Sequence, residues 1–225
     1  MQSRPAAERR EELVALYRET SGCVRCPLHE GRTNVVFGNG NADADLMFVG
    51  EAPGHHEDLQ GLPFVGRAGQ LLDQLLEEIG RSRKDVFVAN VLKCRPPGNR
   101  DPQPDEIDTC KPYLNRQIEL IEPKVICTLG NFATKLLTRS NRGITSVHGR
   151  PQVQELGGRA VRVYPLYHPA AALRSTGTLG QLREDFARLP ALLEEPPPVP
   201  IGAAAPVAAA VAPADPEPSQ MGFFG

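Results

Sequence analysis

Five cysteines punctuate the chain, and four of them form two groups: Cys23 and Cys26 are separated by two residues in CVRC, and Cys94 and Cys110 by fifteen. A CxxC pair gives two sulfurs a common focus, and four sulfurs around one centre suit zinc or an iron-sulfur cluster. Spacing does not separate the two. A thioredoxin-like redox pair fits less well, because Cys23 follows a helical segment instead of ending a strand and because Cys94 and Cys110 are then unexplained. The plain alternative is four small buried hydrophobes. Cys127, inside the apolar run KVICTLG, reads as ordinary core.

A second concentration of chemistry is the turn Gly50-Glu51-Ala52-Pro53-Gly54-His55-His56-Glu57-Asp58. Its glycines let backbone amides approach a ligand, and Glu51, Glu57 or Asp58 can position a water or stabilise a cation. The same acidic residues would equally complement a helix N-terminus. His55 and His56 lack a third ligand at useful spacing and read as exposed polar residues. Phe64, in PFVG, is one of 12 aromatic residues, 8 Phe and 4 Tyr, and serves either core packing or a flat ligand. Asn90, in VFVANVLKC, is a poor strand former whose amide is costly to bury without a partner. His168, in YHPAAALR, precedes a Pro-fixed turn and is either a hydrogen-bonded loop residue or part of a site.

The elements that must hold these residues alternate. Residues 6–20 form an amphipathic helix with Leu13, Leu16, Tyr17 and Thr20 on one stripe. Residues 45–50 read as a buried strand ending in glycine, and 67–79 as a helix closed by Gly80. A strand at 85–91, a helix at 104–121, a strand at 124–130 and a short helix at 131–137 follow. Strands at 151–155 and 161–166 and a last helix at 178–193 complete the pattern. Such alternation predicts an α/β domain whose mostly parallel sheet is covered on both faces. Chemistry then belongs in the loops after Val49, Val91, Leu129 and Leu166, at the carboxyl ends of strands. No Walker or Rossmann glycine signature supports nucleotide-cofactor chemistry.

The 225 residues, with 40% hydrophobic side chains, divide into a globular part at 1–193 and a tail at 194–225. Residues 196–219 hold 8 Pro and 8 Ala in 24 positions, a composition that favours an extended, disordered linker. About 190 residues bury about 70% of their unfolded surface, so the cysteines are not needed as disulfide staples. Residues 191–225 carry four acidic and no basic side chains, leaving 25 basic against 23 acidic in the body, a mildly basic balance that permits a local basic face. The N-terminus lacks the apolar stretch of a signal peptide and no apolar run approaches a membrane span. A cytoplasmic, nucleoid-associated protein with reduced thiols is expected.

Taken together, GEAPGHHED (50–58), PFVG (63–66), the asparagine of VANVLKC (88–94), the cysteines at 23, 26, 94 and 110, and HPAAAL (168–173) resemble the family 4, iron-sulfur, uracil-DNA glycosylases. The likeness spans about residues 10–190 in unbroken order. It implies a three-layer α/β/α sandwich with a central mostly parallel sheet. It also implies a [4Fe-4S] cluster on Cys23, Cys26, Cys94 and Cys110, with zinc as the alternative occupant, and hydrolysis of the N-glycosidic bond of uracil in single- and double-stranded DNA by a monomer.

The resemblance makes Gly50, Ala52, Phe64, Asn90 and His168 the uracil-binding set. Asn90 would read the Watson-Crick edge, and His168 would donate to O2 of the leaving uracil. Other branches of the superfamily carry an Asp two residues after the first Gly and a Tyr two further on, where this chain has Ala52 and Gly54. The water-handling carboxylate is therefore assigned to Glu51, with Glu57 second or else placed near uracil C5. Leu173 and Arg174 resemble a loop that fills the space left by a flipped base. Lys93, Arg95, Arg100, Arg139, Arg142 and Arg150 are candidate phosphate contacts. The terminal SQMGFFG is similar to a bacterial sliding-clamp-binding peptide, with Gln220, Met221, Phe223 and Phe224 as its contacts. Two rivals remain: a uracil-DNA binder that traps its product, from a branch with an inserted His-bearing basic loop absent from RPPGNRD, and a non-catalytic, metal-stabilised nucleic-acid module.

Overall fold

The structure, a computed structural model, describes residues 4–199. In chain order the elements are α1 (Ala6–Ser21), α2 (Leu28–Gly31), β1 (Asn39–Gly40), β2 (Leu46–Gly50), α3 (His55–Gln60), α4 (Arg67–Glu78), β3 (Val86–Asn90) and α5 (Pro104–Ile121). They continue with β4 (Val125–Leu129), α6 (Asn131–Thr138), α7 (Ile144–Val147), β5 (Gln152–Leu156), β6 (Arg159–Leu166), α8 (Pro169–Ala172), α9 (Thr176–Ala187) and α10 (Leu189–Glu194). The sheet runs β1-β3-β2-β4-β6-β5. Its four central strands are parallel, and the edge strands β1 and β5 pair antiparallel.

The apolar runs are continuous because both faces of the central strands are covered. Met47 and Val49 of β2 join Leu114 and Ile118 of α5, Ala133 and Leu137 of α6 and Leu13 and Leu16 of α1 in one core. Leu46 and Phe48 point the other way and pack with Leu72, Leu75 and Leu76 of α4 and with Leu182 and Phe186 of α9. Successive side chains thus feed opposite layers, as the period of two in a strand requires. This is the three-layer α/β/α arrangement.

The expected final helix at 178–193 is two helices. Ser175 accepts from the Thr178 N–H and caps α9 two residues earlier than expected, and Pro190, in the first turn of α10, opens a separate helix after Arg188. Strand β1 and the short helices α2, α3, α7 and α8 carry too few residues to show a period.

Polar side chains join the N-terminal helix to the body. The buried Arg9 guanidinium donates to the carbonyls of Leu120 (2.7 Å) and Ile121 (3.3 Å), closing the C-terminus of α5. Arg4, just before α1, pairs with Glu119 of α5 at 2.9 Å, and Glu12 of α1 pairs with Arg116 of α5.

Helix α4 begins against the backbone of Phe64. A Cβ on Gly69 would lie 1.7 Å from the Phe64 carbonyl oxygen, so only glycine fits. Gly69→Ala is therefore expected to cost about 1–3 kcal/mol or more through backbone displacement, read as a lowered midpoint of thermal or urea denaturation. An unchanged midpoint would show that the contact yields without cost.

Candidate active site

The parallel register of β2 and β3 sets Gly50 directly beside Asn90 at the carboxyl end of the sheet. The pairing continues past the strands, with Val91 N–H donating to the Gly50 carbonyl (2.9 Å) and Leu92 N–H to that of Glu51 (3.0 Å). Two loops are thereby locked side by side. A Cβ on Gly50 would come within 2.4 Å of Asn90 Oδ1 and 2.8 Å of Phe64 Cζ, so the absent side chain is what opens space between amide and ring. Asn90 is only 2% exposed, and among the described residues its side-chain amide has no hydrogen-bond partner. Both ends of the amide reach the open pocket and are thus available to a ligand.

Phe64 adopts a left-handed backbone (φ 56°), unusual for a non-glycine residue. It is held there from three sides: Arg83 donates to its carbonyl (2.8 Å), Gly69 packs beneath that carbonyl, and Glu57 Oε1 accepts from the following Val65 and Gly66 N–H groups (3.0 and 3.1 Å). Its ring stacks beside His168, with centroids 5.7 Å apart. His168 follows β6, and Gly130, at the end of the neighbouring β4, leaves room for its Cβ.

The chemistry of His168 is set by its surroundings. The Ala170 N–H donates to Nδ1 (3.1 Å), so the ring proton of the neutral form resides on Nε2. Burial pushes the imidazolium pKa down to about 4, with Glu57 opposing weakly. His168 is therefore a neutral donor at physiological pH.

One pocket is lined by Glu51, Ala52, Pro53, Gly54, Glu57, Phe64, Asn90, His168 and Arg174, together with Pro96, Asn99, Arg100 and Asp101. Every residue of the proposed catalytic and uracil-binding set other than Gly50 lines it, and Gly50 packs directly behind Asn90 and Phe64. Glu51 is held above the usual carboxylate range by burial first and by the nearby Asp101 charge second. Leu173, 41% exposed, ends α8 beside this mouth, next to Arg174. Asn99, Arg100 and Asp101 form one wall of the pocket, of which the sequence singles out only Arg100, as a phosphate contact. The wall lies in the loop between Cys94 and Cys110.

Three expectations are corrected. Lys93 is not a phosphate contact: it is 1% exposed, with Nζ donating to the Asn90 carbonyl (2.8 Å) and Gln117 Oε1 (2.6 Å), and burial lowers its pKa to about 8. Asp58 does not handle water, because it is buried and accepts from the N–H groups of Thr33 and Asn34. Arg139 lines a separate hollow between α5, α6 and the β5–β6 turn, away from the pocket. Arg142 and Arg150 are exposed, whereas Arg100 forms a bidentate pair with the buried Glu106 and Arg95 donates to Asn99. His55 and His56 are exposed, as expected.

The four cysteines at 23, 26, 94 and 110 line a single small hollow with Arg25, Arg32, Lys93 and Tyr113, while Cys127 is core. Arg32 Nη1 donates to the Cys23 carbonyl (2.6 Å) and lies 3.4 Å from Cys94 Sγ, and the Lys93 N–H donates to Cys110 Sγ (3.3 Å). Burial raises the thiol pKa values of Cys94 and Cys110, the latter to about 11. A metal taking them as thiolates would displace their protons. Four sulfur donors with N–H groups aimed at them fit a thiolate-bound metal centre.

A family model described as the uracil DNA glycosylase superfamily matches residues 37–189. The chain is 47% identical over 184 residues to a type-4 uracil-DNA glycosylase of Sulfurisphaera tokodaii, covering 80% of this chain and 84% of that one. It is 48% identical over 180 residues to that of Archaeoglobus fulgidus (78% and 88% covered) and 49% identical over 168 residues to that of Thermotoga maritima (74% and 86% covered). With these likenesses laid over a pocket built from Gly50, Phe64, Asn90 and His168, the chain belongs to the uracil-DNA glycosylase superfamily and, within it, to the type-4 uracil-DNA glycosylases.

Proposed function

We propose that the pocket at the carboxyl end of the sheet receives uracil turned out of single- or double-stranded DNA and that the chain hydrolyses its N-glycosidic bond, leaving an abasic site. The chain is a uracil-DNA glycosylase, a DNA-repair hydrolase. The observation that carries the residue roles is the buried, unpartnered amide of Asn90 between Gly50 and Phe64. Its Oδ1 accepts from uracil N3–H and its Nδ2 donates to O4. Cytosine presents the opposite pattern and leaves the amide mismatched, at about 1–3 kcal/mol per unmet buried group.

As the bond to the sugar breaks, negative charge collects on uracil, and Nε2–H of His168 donates to O2. A neutral donor of fixed tautomer gives this stabilisation without a proton transfer. Glu51 orients the water and faces the positive charge on the sugar. Glu57 holds the Phe64 loop through one oxygen while it lines the pocket. Leu173 and Arg174 enter the duplex to fill the gap, and Arg100 and Arg174 line the pocket while Arg95 adjoins it through Asn99. Cys23, Cys26, Cys94 and Cys110 would hold a [4Fe-4S] cluster. Its contribution when bound is structural, pinning the Cys94–Cys110 loop against the pocket, since hydrolysis transfers no electron.

Purified protein on a uracil-containing oligonucleotide, followed by alkali, is expected to give strand breaks. Asn90→Ala is expected to give none, and His168→Ala to lose about 10²–10³ in rate. A retarded band without breaks would favour product trapping or a binding module. If Glu51 must be ionised, activity falls as pH drops through its raised pKa. Asp101→Asn removes the second cause of that rise and is expected to move the acid limb of the pH–rate profile to lower pH, while Glu51→Gln loses more than about tenfold at all pH values. An unmoved limb would remove Glu51 from this role.

The candidate clamp contacts Gln220, Met221, Phe223 and Phe224 lie outside the described residues. Deleting residues 219–225 is expected to abolish binding to a bacterial sliding clamp in a pull-down and leave uracil excision intact. Undiminished capture would end that reading.

A further inference from the structure

Lys93 is the one lysine that the fold buries completely, and among the described residues it forms no ion pair. Lysine is almost never fully buried without a partner. Its ammonium has two neutral acceptors, the Asn90 carbonyl and Gln117 Oε1, and Gln117 is fixed in turn by donating from Nε2 to the Phe37 carbonyl (2.8 Å). Two hydrogen bonds meet two of its three N–H donors and leave its charge uncompensated in a low-dielectric interior. The same residue lines the cysteine hollow, and its backbone N–H meets Cys110 Sγ. Four thiolates around a [4Fe-4S]²⁺ core carry a net negative charge, which is the compensation the ammonium lacks.

We propose that Lys93 is a positioning residue that supplies the buried counter-charge of the metal–thiolate centre and, with the same ammonium, holds the carbonyl of Asn90. The centre and the uracil-reading strand then share one side chain. This rests on the reading of the cysteines as a cluster site. It explains why the lysine stands between Asn90 and Cys94 in ANVLKC: the backbone reaches the sulfur side while the four-carbon stem folds back three residues to the reader. Arg32 makes the matching contact on the other side of the hollow, from outside the strand.

The test uses holoprotein and reads iron per chain, absorbance near 400 nm and the rate of iron loss to a chelator, alongside separate kcat and KM values on a uracil oligonucleotide. Lys93→Met, of similar length but neutral, is expected to lose iron about 10–100-fold faster than wild type and to raise KM more than it lowers kcat. Lys93→Arg, which keeps the charge, is expected to restore iron retention. Iron loss from Lys93→Met at the wild-type rate overturns the proposal whatever KM does. Wild type without iron or absorbance overturns the cluster reading instead.

Should Lys93→Met fail to fold, Gln117→Glu decides, because its carboxylate draws the ammonium's charge away from the centre. It is expected to lose iron faster than Gln117→Met, which removes the acceptor without adding charge. Equal rates overturn the proposal.

Discussion

The pairing of β2 with β3, which brings Gly50 against Asn90, is the constraint on which the pocket depends. Parallel strands cannot slip by one residue without turning every side chain to the other layer, and here both layers are filled, by α1, α5 and α6 on one side and α4, α9 and α10 on the other. The register is therefore enforced by two cores at once. At its end the chain places a residue with no side chain beside an unpartnered amide, and the gap between them opens into the pocket. Phe64 completes the gap from a third segment, in a backbone conformation kept only because Arg83, Gly69 and Glu57 all act on it. Strain of this kind survives where the surroundings overdetermine it.

Electrostatics in the site follow from burial more than from charge pairing. Burial keeps His168 neutral and lifts Glu51, so a neutral donor and a carboxylate with a raised pKa share one cavity. Environment alone thus sets the protonation of the two groups apart. Beside this cavity the polar groups interlock through Lys93 and Gln117, which tie the end of β3 to α5 and Phe37.

Much of this was legible in the sequence. The alternation of apolar segments placed the central strands and long helices within a few residues, since strands buried on both faces and helices such as α4 write strong patterns. Asn90 stood out because an amide is out of place in an apolar strand, and His168 because a proline follows it. Lys93 was misread for a physical reason: charge in a sequence suggests solvent, and only the fold shows that its stem runs inward to backbone carbonyl and amide acceptors. Asp58 was misread likewise, because a carboxylate that caps backbone N–H groups looks in sequence like one poised for catalysis. The pocket wall from Asn99 to Asp101 has no periodicity at all. It is a loop held by its own contacts, such as the Arg100–Glu106 pair and the Arg95–Asn99 hydrogen bond.

The docking of α1 on α5 also reaches the cysteines. Cys23 and Cys26 follow α1 and Cys110 lies in α5, so Leu13 and Leu16 in the core, Arg9 on the α5 carbonyls and the pairs Arg4–Glu119 and Arg116–Glu12 fix how the two cysteine-bearing segments meet. Chain entropy is lost once, in seating the helix, and the thiols are carried along. A substitution that loosens α1 from α5 therefore disturbs the cysteine hollow without touching a cysteine.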